Sequence, residues 1–286
     1  MILVFGATGH IGGELVSILS SEGVPAVAVT RDPSRARALP GIRWTEADLA
    51  NPASIDRVVR GVKAMFLLTG NGPDLAALQA SAIHAAAKAG IELVVKLSAL
   101  GASGHSKSPI GRAHQEAEDA LIGSGMRWVI LRPHVFMQNL LDQAPAIARE
   151  GRIYSASGDG MVPFIDTRDI AAVAAVTLTR SGHEGKRYVL TGPEALSYHD
   201  VARIVSEVVG RPIEYKALSL DEARERMTRA GDPQWAIEGL LALAAYQRAG
   251  GPTAVVHDSV RAILGRPPGS FAEFAKDHAR QLRGGL

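Results

Sequence analysis

The sequence predicts an α/β fold: a doubly wound parallel sheet with a smaller, interleaved, mostly helical C-terminal region. Three observations point to it. Short apolar runs alternate with helical segments through the first half of the chain. A glycine-rich turn joins the first apolar run to the first helical segment. Beyond residue 150 the alternation loosens and helical patterning takes over.

The strands expected in order are Ile2–Phe5, Ala26–Thr30, Ile42–Thr45, Ala64–Thr69, Leu93–Ser98 and Trp128–Arg132. Runs of four to six apolar residues suit strands buried on both faces. Helices are expected near 12–22, 33–38, 52–60, 73–89 and 111–123. Asn51 can cap the third of these, with Pro52 at its first position, where a missing N–H costs nothing. Pro73-Asp74 opens the alanine-rich fourth, and Gly90 closes it. Right-handed crossovers wind such units into a Rossmann-type doubly wound layer. Further on, Ile153–Ala156, Gly158-Asp159-Gly160 and Met161–Phe164 read as a hairpin whose second arm, with Pro163, lies at an edge. A helix is expected over Thr167–Thr179, and strands over Arg187–Thr191 and Ile213–Ala217. Capping boxes start helices at Ser219-x-x-Glu222 and Ser270-x-x-Glu273. The expected division is a nucleotide-binding domain over 1–150, with 161–191 returning to it, and a smaller substrate or cap region over 192–286.

Composition narrows the function classes. Apolar residues make up 47% and charged residues 21%, as in ordinary globular proteins. With 31 Lys+Arg against 29 Asp+Glu the net charge is only +2, too balanced to suggest a nucleic-acid binder. The absence of cysteine excludes disulfides, thiol nucleophiles and Cys-ligated metals, and fits a reducing compartment. No charged leader is expected ahead of the first strand, and no apolar stretch approaches the ~20 residues that span a bilayer. A cytoplasmic protein without a membrane partner is expected.

The first candidate site is the turn Gly6-Ala7-Thr8-Gly9-His10-Ile11-Gly12. A strand, a glycine turn and a helix start form the corner that cradles a pyrophosphate. Glycines permit tight angles and close backbone approach, and the helix start offers unpaired N–H groups to the anion. The second strand ends in Thr30-Arg31-Asp32, so the slot that carries an acid in NAD-specific folds is neutral. Arg31 and, one turn on, Arg35 match a 2′-phosphate, which points to NADP(H). The plainer alternative is that both arginines are solvated at a helix start capped by Asp32. Asp48-Leu49 after the third strand is placed for the adenine edge, and a simple turn aspartate is the equal alternative.

These features, with further matches along the chain, resemble the NmrA-like group of atypical short-chain dehydrogenase/reductases. That group includes type 2 NAD(P)H:quinone oxidoreductases, triphenylmethane dye reductases and azo dye reductases. The matching segments are Phe66-Leu67-Leu68-Thr69-Gly70, Leu97-Ser98-Ala99 and His114-x-x-x-Glu118. Ser124-Gly125-Met126-Arg127-Trp128-Val129-Ile130-Leu131-Arg132-Pro133 follows, then Phe136-Met137-Gln138-Asn139 and Asp166-x-x-Asp169-Ile170-Ala171. The resemblance implies NADP(H) on Gly6, Gly9, Gly12 and Arg31. It puts the nicotinamide near Thr69, Gly70, Ser98 and the loop at Pro133 and His134. The group also contains regulators that bind the nucleotide and catalyse little.

Most members of the wider superfamily use Tyr-x-x-x-Lys as proton donor. None of Tyr154, Tyr188, Tyr198, Tyr215 and Tyr246 has a lysine four residues on. His114-x-x-x-Glu118 takes that place; one helical turn apart, the two side chains can hydrogen-bond, and a carboxylate raises an imidazole's basicity. His114 and Ser98 are therefore the catalytic candidates, each with a structural alternative: a helix hydrogen bond for His114, a turn cap for Ser98. His105 and Lys107 lie in a Gly/Ser loop, and His134 and Asn139 follow the sixth strand as ligand or structural residues. The nine histidines show no metal-ligand spacing, and no Gly-x-Ser-x-Gly elbow is present. Met227–Tyr246, with Trp235, Leu240, Leu241 and Leu243, reads as helix core or as an apolar substrate lining. Quinones and conjugated dyes need positioning more than strong acid catalysis. The function expected is NADPH-dependent hydride transfer to a quinone-like or conjugated aromatic acceptor. The alternative is a non-catalytic NADP(H) sensor that grips a partner protein. A second copy of the chain is an open partner.

Overall fold

The computed structural model describes residues 1–285. The chain divides into two compact units. The first holds residues 1–106, 110–133 and 167–189, and the second holds 107–109, 134–166 and 190 onward.

The first unit is a seven-stranded sheet. Its elements in chain order are β1 (Ile2–Val4), α1 (His10–Ser21), β2 (Ala26–Thr30), β3 (Ile42–Glu46), α2 (Pro52–Val58), β4 (Ala64–Leu67), α3 (Leu75–Lys88), β5 (Leu93–Leu97), α4 (Pro109–Gly123) and β6 (Arg127–Pro133). In the second unit α5 (Ala144–Glu150) and β7 (Arg152–Ser155) follow, before α6 (Thr167–Thr179) and β8 (Lys186–Leu190) complete the sheet. The strand order is β3-β2-β1-β4-β5-β6-β8. Pairings from β3 through β6 are parallel. The backbone bonds Gly185 N–H to Trp128 O and His134 N–H to Leu190 O carry β8 along β6 in the same direction. The order reverses at β1 and β4, so the chain ends leaving β1 and β4 share one carboxyl edge, the usual ligand position in such sheets.

Alternation along the strands sorts the two faces. Leu3, Phe5, Val27, Val29, Met65, Leu67, Val94 and Ile130 bury with Ile55 and Val58 of α2, Ile83 and Ala86 of α3 and Leu121 of α4. On the other face α1 packs against α6, whose Ala171, Ala174 and Ala175 let the helices approach closely. The expected helix at 33–38 is a single 3-10 turn, Pro33–Arg35. Asp32 caps it through Ser34 N–H at 3.0 Å, and Ala36 already has extended angles.

The second unit corrects the expected hairpin. β7 pairs in parallel with β9 (Glu214–Ala217), reached after α7 (Tyr198–Val209), in the register Arg152↔Glu214 to Ser155↔Ala217. Residues 161–164 form no strand; Val162 makes one antiparallel bridge to Leu196. The intervening turn is pinned elsewhere. Ser157 Oγ donates to Gln247 Oε1 at 2.6 Å, and a Cβ on Gly160 would stand 2.3 Å from Gln247 O. The core here joins Ile147, Ile153, Phe164, Val201, Val205, Phe271 and Phe274. α8 (Leu220–Ala230) and α9 (Gln234–Ala249) form a smaller cluster of Ala223, Ile237, Leu241 and Ala244. Of the proposed apolar lining, Leu241 is thus core, and Leu240 and Tyr246 face solvent. Among the described residues, no helix is long and apolar enough to cross a membrane.

Candidate functional site

The glycine turn does two separate jobs. Gly6 sits at φ +71°, where only glycine is comfortable. A Cβ on Gly12 would stand 2.1 Å from Gly6 O, so this glycine lets α1 close onto the turn. Gly9 is different: its Cβ would meet only Gly6 O, at 3.4 Å. Its missing side chain therefore keeps space open outside the protein. α1 starts here with no capping side chain and no acid in its first turn. Gly13 N–H already bonds Gly9 O, which leaves the His10, Ile11 and Gly12 amides at the open helix end. Arg35 Nη2 donates to Thr8 O at 2.9 Å and brings a positive charge to the same corner.

Next to it lies a cavity of about 450 Å³ lined by Arg31, Glu46, Ala47, Asp48, Asn51, Ala53, Ser54 and Arg57. Thr30, at the acid slot, folds its hydroxyl back: Oγ1 donates to Asp32 O at 2.9 Å and accepts from Asp32 N–H at 3.0 Å. Asp32 spends its carboxylate on Ser34, and those hydrogen bonds, side-chain first, hold its pKa below the ordinary value. No acid competes with Arg31 from that strand end. Asp48 accepts from Ala50 N–H at 3.0 Å, the turn-aspartate geometry, while still lining the cavity. Leu49 packs its side chain against the core. Arg57, which sequence reasoning missed, enters from α2 and donates to Glu46 O at 2.9 Å.

Thr69 and Gly70 leave β4 beside the turn, where Leu68 would touch a Cβ on Gly6. Gln79 of α3, fully buried, donates from Nε2 to Thr69 Oγ1 at 2.9 Å. A hydroxyl that accepts this bond keeps its own O–H to donate outward. Among the described residues, Gln79 Oε1 has no hydrogen-bond partner.

The next strand carries a polar cluster inside the core. Alternation puts Lys96 and Ser98 on the same face as Val94, under α4. Lys96 is fully buried; its Nζ donates to Leu97 O and lies 3.2 Å from His114 Nδ1. Ser98 Oγ donates to Glu118 Oε1 at 2.5 Å. Glu118 also takes Arg132 Nε at 2.8 Å and Nη2 at 2.6 Å, and Arg187 Nε at 3.2 Å. The expected His114–Glu118 pair is therefore corrected. The carboxylate turns to the arginines of β6 and β8, and the imidazole turns to a lysine. Burial chiefly, then the Lys96 and Arg132 charges, lowers the His114 pKa to about 3, the reverse of the expected gain in basicity. Burial also lowers Lys96 to about 7, with Glu118 opposing and Arg132 adding to it. Burial pushes Glu118 up, but hydrogen bonds from Arg132 and Ser98 and the charges of Arg132 and Lys96 outweigh it and hold the pKa below the ordinary value. Lys96 was missed; a lysine inside Leu-Val-Val-Lys-Leu was the signal.

Pro133 ends β6 and accepts from Leu100 N–H at 3.0 Å. His134 belongs to the second unit, and both its ring nitrogens are taken by backbone: Nδ1 accepts from Val135 N–H at 2.7 Å, and Nε2 donates to Thr253 O at 3.0 Å. It has no ring N–H left for a ligand. Asn139 is exposed on a 3-10 turn of the second unit, and His105 is exposed with its N–H on Ser103 Oγ. Among the described residues, no group of three or more His, Asp or Glu is arranged to hold a metal ion.

A parallel sheet with a glycine corner and an acid-free helix start defines a dinucleotide-binding protein, and the chain belongs to the NAD(P)H-binding family, whose model matches residues 6–181. It is 41% identical to the NAD(P)H azoreductase of Xenophilus azovorans, covering 98% of each chain. Its fold matches an NADPH-dependent quinone oxidoreductase of Escherichia coli solved with NADPH, with TM-score 0.88, 28% identity, and coverage of 97% of this chain and 99% of that one. A triphenylmethane reductase of Citrobacter sp. complexed with NADP(H) matches with TM-score 0.83 and 25% identity over 97% and 99%. The resemblance to atypical short-chain reductases holds. The open amides of α1, the space kept by Gly9 and the arginine-lined cavity fit the cofactor of that family.

Proposed function

We propose that this chain is an NADPH-dependent reductase of quinone-like or conjugated aromatic acceptors. The observation that carries the reading is a juxtaposition on one sheet. The glycine corner after β1, Thr69 after β4 and the Ser98–Lys96–His114 cluster at β5 follow one another along its carboxyl edge. Gly6, Ala7, Thr8, Gly9, His10, Ile11 and Gly12 shape the pyrophosphate cradle. Arg31 takes the 2′-phosphate, Arg35 reinforces the corner, and Asp48 and Leu49 border the adenine. Thr69 offers its hydroxyl to the nicotinamide amide, with Gly70 and Pro133 as backbone walls.

Bound there, the dinucleotide supplies a hydride. The rest falls to the chain. Ser98 holds its proton against Glu118, so it serves as an acceptor rather than a donor. His114 is the remaining side chain of the cluster with an uncommitted nitrogen, and it supports proton delivery to an already electrophilic acceptor. Relatives named as reductases favour catalysis over sensing. Such an enzyme draws on the cytoplasmic NADPH pool, and the cysteine-free sequence suits that compartment. The test is stopped-flow mixing of NADPH-loaded protein with a panel of quinones and azo dyes. Oxidation of the bound cofactor in a single turnover is expected with at least one acceptor; none with any refutes the reading.

A further inference from the structure

We propose that Lys96 and His114 form a proton relay in which Lys96, acting through the imidazole, passes a proton to His114 Nδ1 as Nε2 protonates the reduced acceptor. The inference rests on the reductase reading above and names how the missing tyrosine is replaced.

The geometry carries it. Lys96 Nζ lies 3.2 Å from His114 Nδ1, and both side chains are buried. An ammonium has only donors, so while Lys96 is charged Nδ1 must accept and the imidazole proton must sit on Nε2. Among the described residues, Nε2 has no hydrogen-bond partner, and His114 keeps 6% exposure. A neutral imidazole is a poor acid by itself, because losing a proton leaves an anion. Taking a proton at Nδ1 while giving one at Nε2 avoids that.

The step balances. Hydride addition leaves the acceptor with a lone pair and a negative charge. Its bond to hydrogen forms as His114 Nε2–H breaks; Nδ1–H forms as one Nζ–H breaks. Lys96 ends as a neutral amine and His114 as the other neutral tautomer. Water returns the proton along the same path in reverse.

The surrounding charges suit this exchange. From α4, Lys96 is faced by His114 and Glu118; from β6 by Arg132; on its own strand by Ser98; and Arg187 of β8 reaches the cluster through Glu118. Glu118 is committed to the two arginines, which keeps it from fixing the Lys96 charge. Burial then brings Lys96 to about 7, so its proton is available near neutral pH.

The test combines a spectroscopic and a kinetic arm on the full chain. His114 is followed by ¹⁵N NMR in the wild type and in Lys96→Met, with Lys96→Gln as the second variant where Met packs badly. Below pH 6 the expected state has Nε2 protonated and Nδ1 accepting. The Nδ1 signal should move as the pH passes about 7, and the substitution should abolish that movement. A proton fixed on Nδ1 at every pH, or the same titration in the variant, overturns the relay. In steady state the variant should lose about tenfold or more in kcat with KM for the acceptor unchanged. It should also lose the wild type's fall in kcat above about pH 7. An unchanged kcat and profile overturns the proposal. A wild type that oxidises NADPH with no acceptor refutes the reductase reading alone, since the NMR arm still decides the pair.

Discussion

Substituting Gly9 and Gly12 by alanine, one at a time, separates fold packing from ligand space in a single turn. A Cβ on Gly12 would stand 2.1 Å from Gly6 O, 2.6 Å from Gly6 C and 2.9 Å from Ala7 Cα. All three are backbone atoms, so α1 must move off the turn. Forcing a methyl into a filled site costs about 1–3 kcal/mol, and this contact belongs at the upper end. Alanine's better helix propensity returns at most about 1 kcal/mol. The net cost is about 2 kcal/mol, and at roughly 2–4 °C per kcal/mol for a large domain the Tm falls by about 4–8 °C. At Gly9 the nearest protein atom would be 3.4 Å away and φ is −87°, which alanine adopts freely. The loss there is about 0.7 kcal/mol for the capping position, and Tm holds within about 3 °C. The methyl instead fills the space over the open amides. NADPH affinity should drop about tenfold or more, about 1.4 kcal/mol. Differential scanning fluorimetry of the free proteins and calorimetric titration with NADPH read the two effects. A Gly9→Ala protein that melts as early as Gly12→Ala, or that binds NADPH like the wild type, refutes the division of labour.

Arg31→Ala should weaken NADPH at least about tenfold in a fluorescence titration and leave NADH nearly unchanged, since the lost fork meets only the extra phosphate. Equal losses would remove the 2′-phosphate role. Glu118→Ala leaves the Arg132 guanidinium, with its side chain only 20% exposed, without its bidentate carboxylate, and should cost about 3–5 kcal/mol in urea unfolding. Burial lowers His134 from 6.5 to about 4, against the Thr253 backbone bond that raises it and with His257 adding to the depression. Between these values the unfolded chain holds the extra proton, so stability present above pH 6.5 is lost as pH falls toward 4, on the order of 3 kcal/mol. Urea midpoints at pH 7 and 4.5 should show this drop, to which the likewise depressed His114 adds, and His134→Asn should remove only its own share.

The parts of the fold legible in the sequence are those fixed locally. Five of the first six strands need only an apolar run and a turn on each side, β3 (Ile-Arg-Trp-Thr-Glu) being the half-exposed exception, and the glycine corner is one contiguous segment. β7 was legible as a strand but not in its pairing. Its partner β9 begins 62 residues later, at Glu214 against Arg152, while residues 161–164 offer the same apolar pattern close by. What decides is the turn between them, which Gln247 anchors from α9. The site divides in the same way. The spacing of His114 and Glu118 correctly gives one helix face, because that depends on helix geometry alone. Which partner each side chain takes depends on Lys96, Arg132 and Arg187, carried on three separate strands.

Those strands also explain why one lysine in this core can change its charge. The cluster under α4 brings two arginines and a lysine to a single carboxylate. Arg187 is exposed and keeps its hydration, but Arg132 and Lys96 still set two positive charges beside one negative charge in a medium that solvates ions poorly. A guanidinium cannot release its proton near neutral pH, and its fork holds a carboxylate through two parallel bonds. Arg132 therefore keeps Glu118, and burial first, opposed by the Glu118 charge and aided by that of Arg132, makes Lys96 the group that neutralises. Exchanging Arg132 for a neutral residue of similar length would release Glu118 toward the lysine. Arg132→Met should accordingly raise the Lys96 pKa, and the pH at which the His114 Nδ1 signal moves should rise with it. A midpoint that stays where it was would mean that burial alone, not competition for Glu118, sets the lysine.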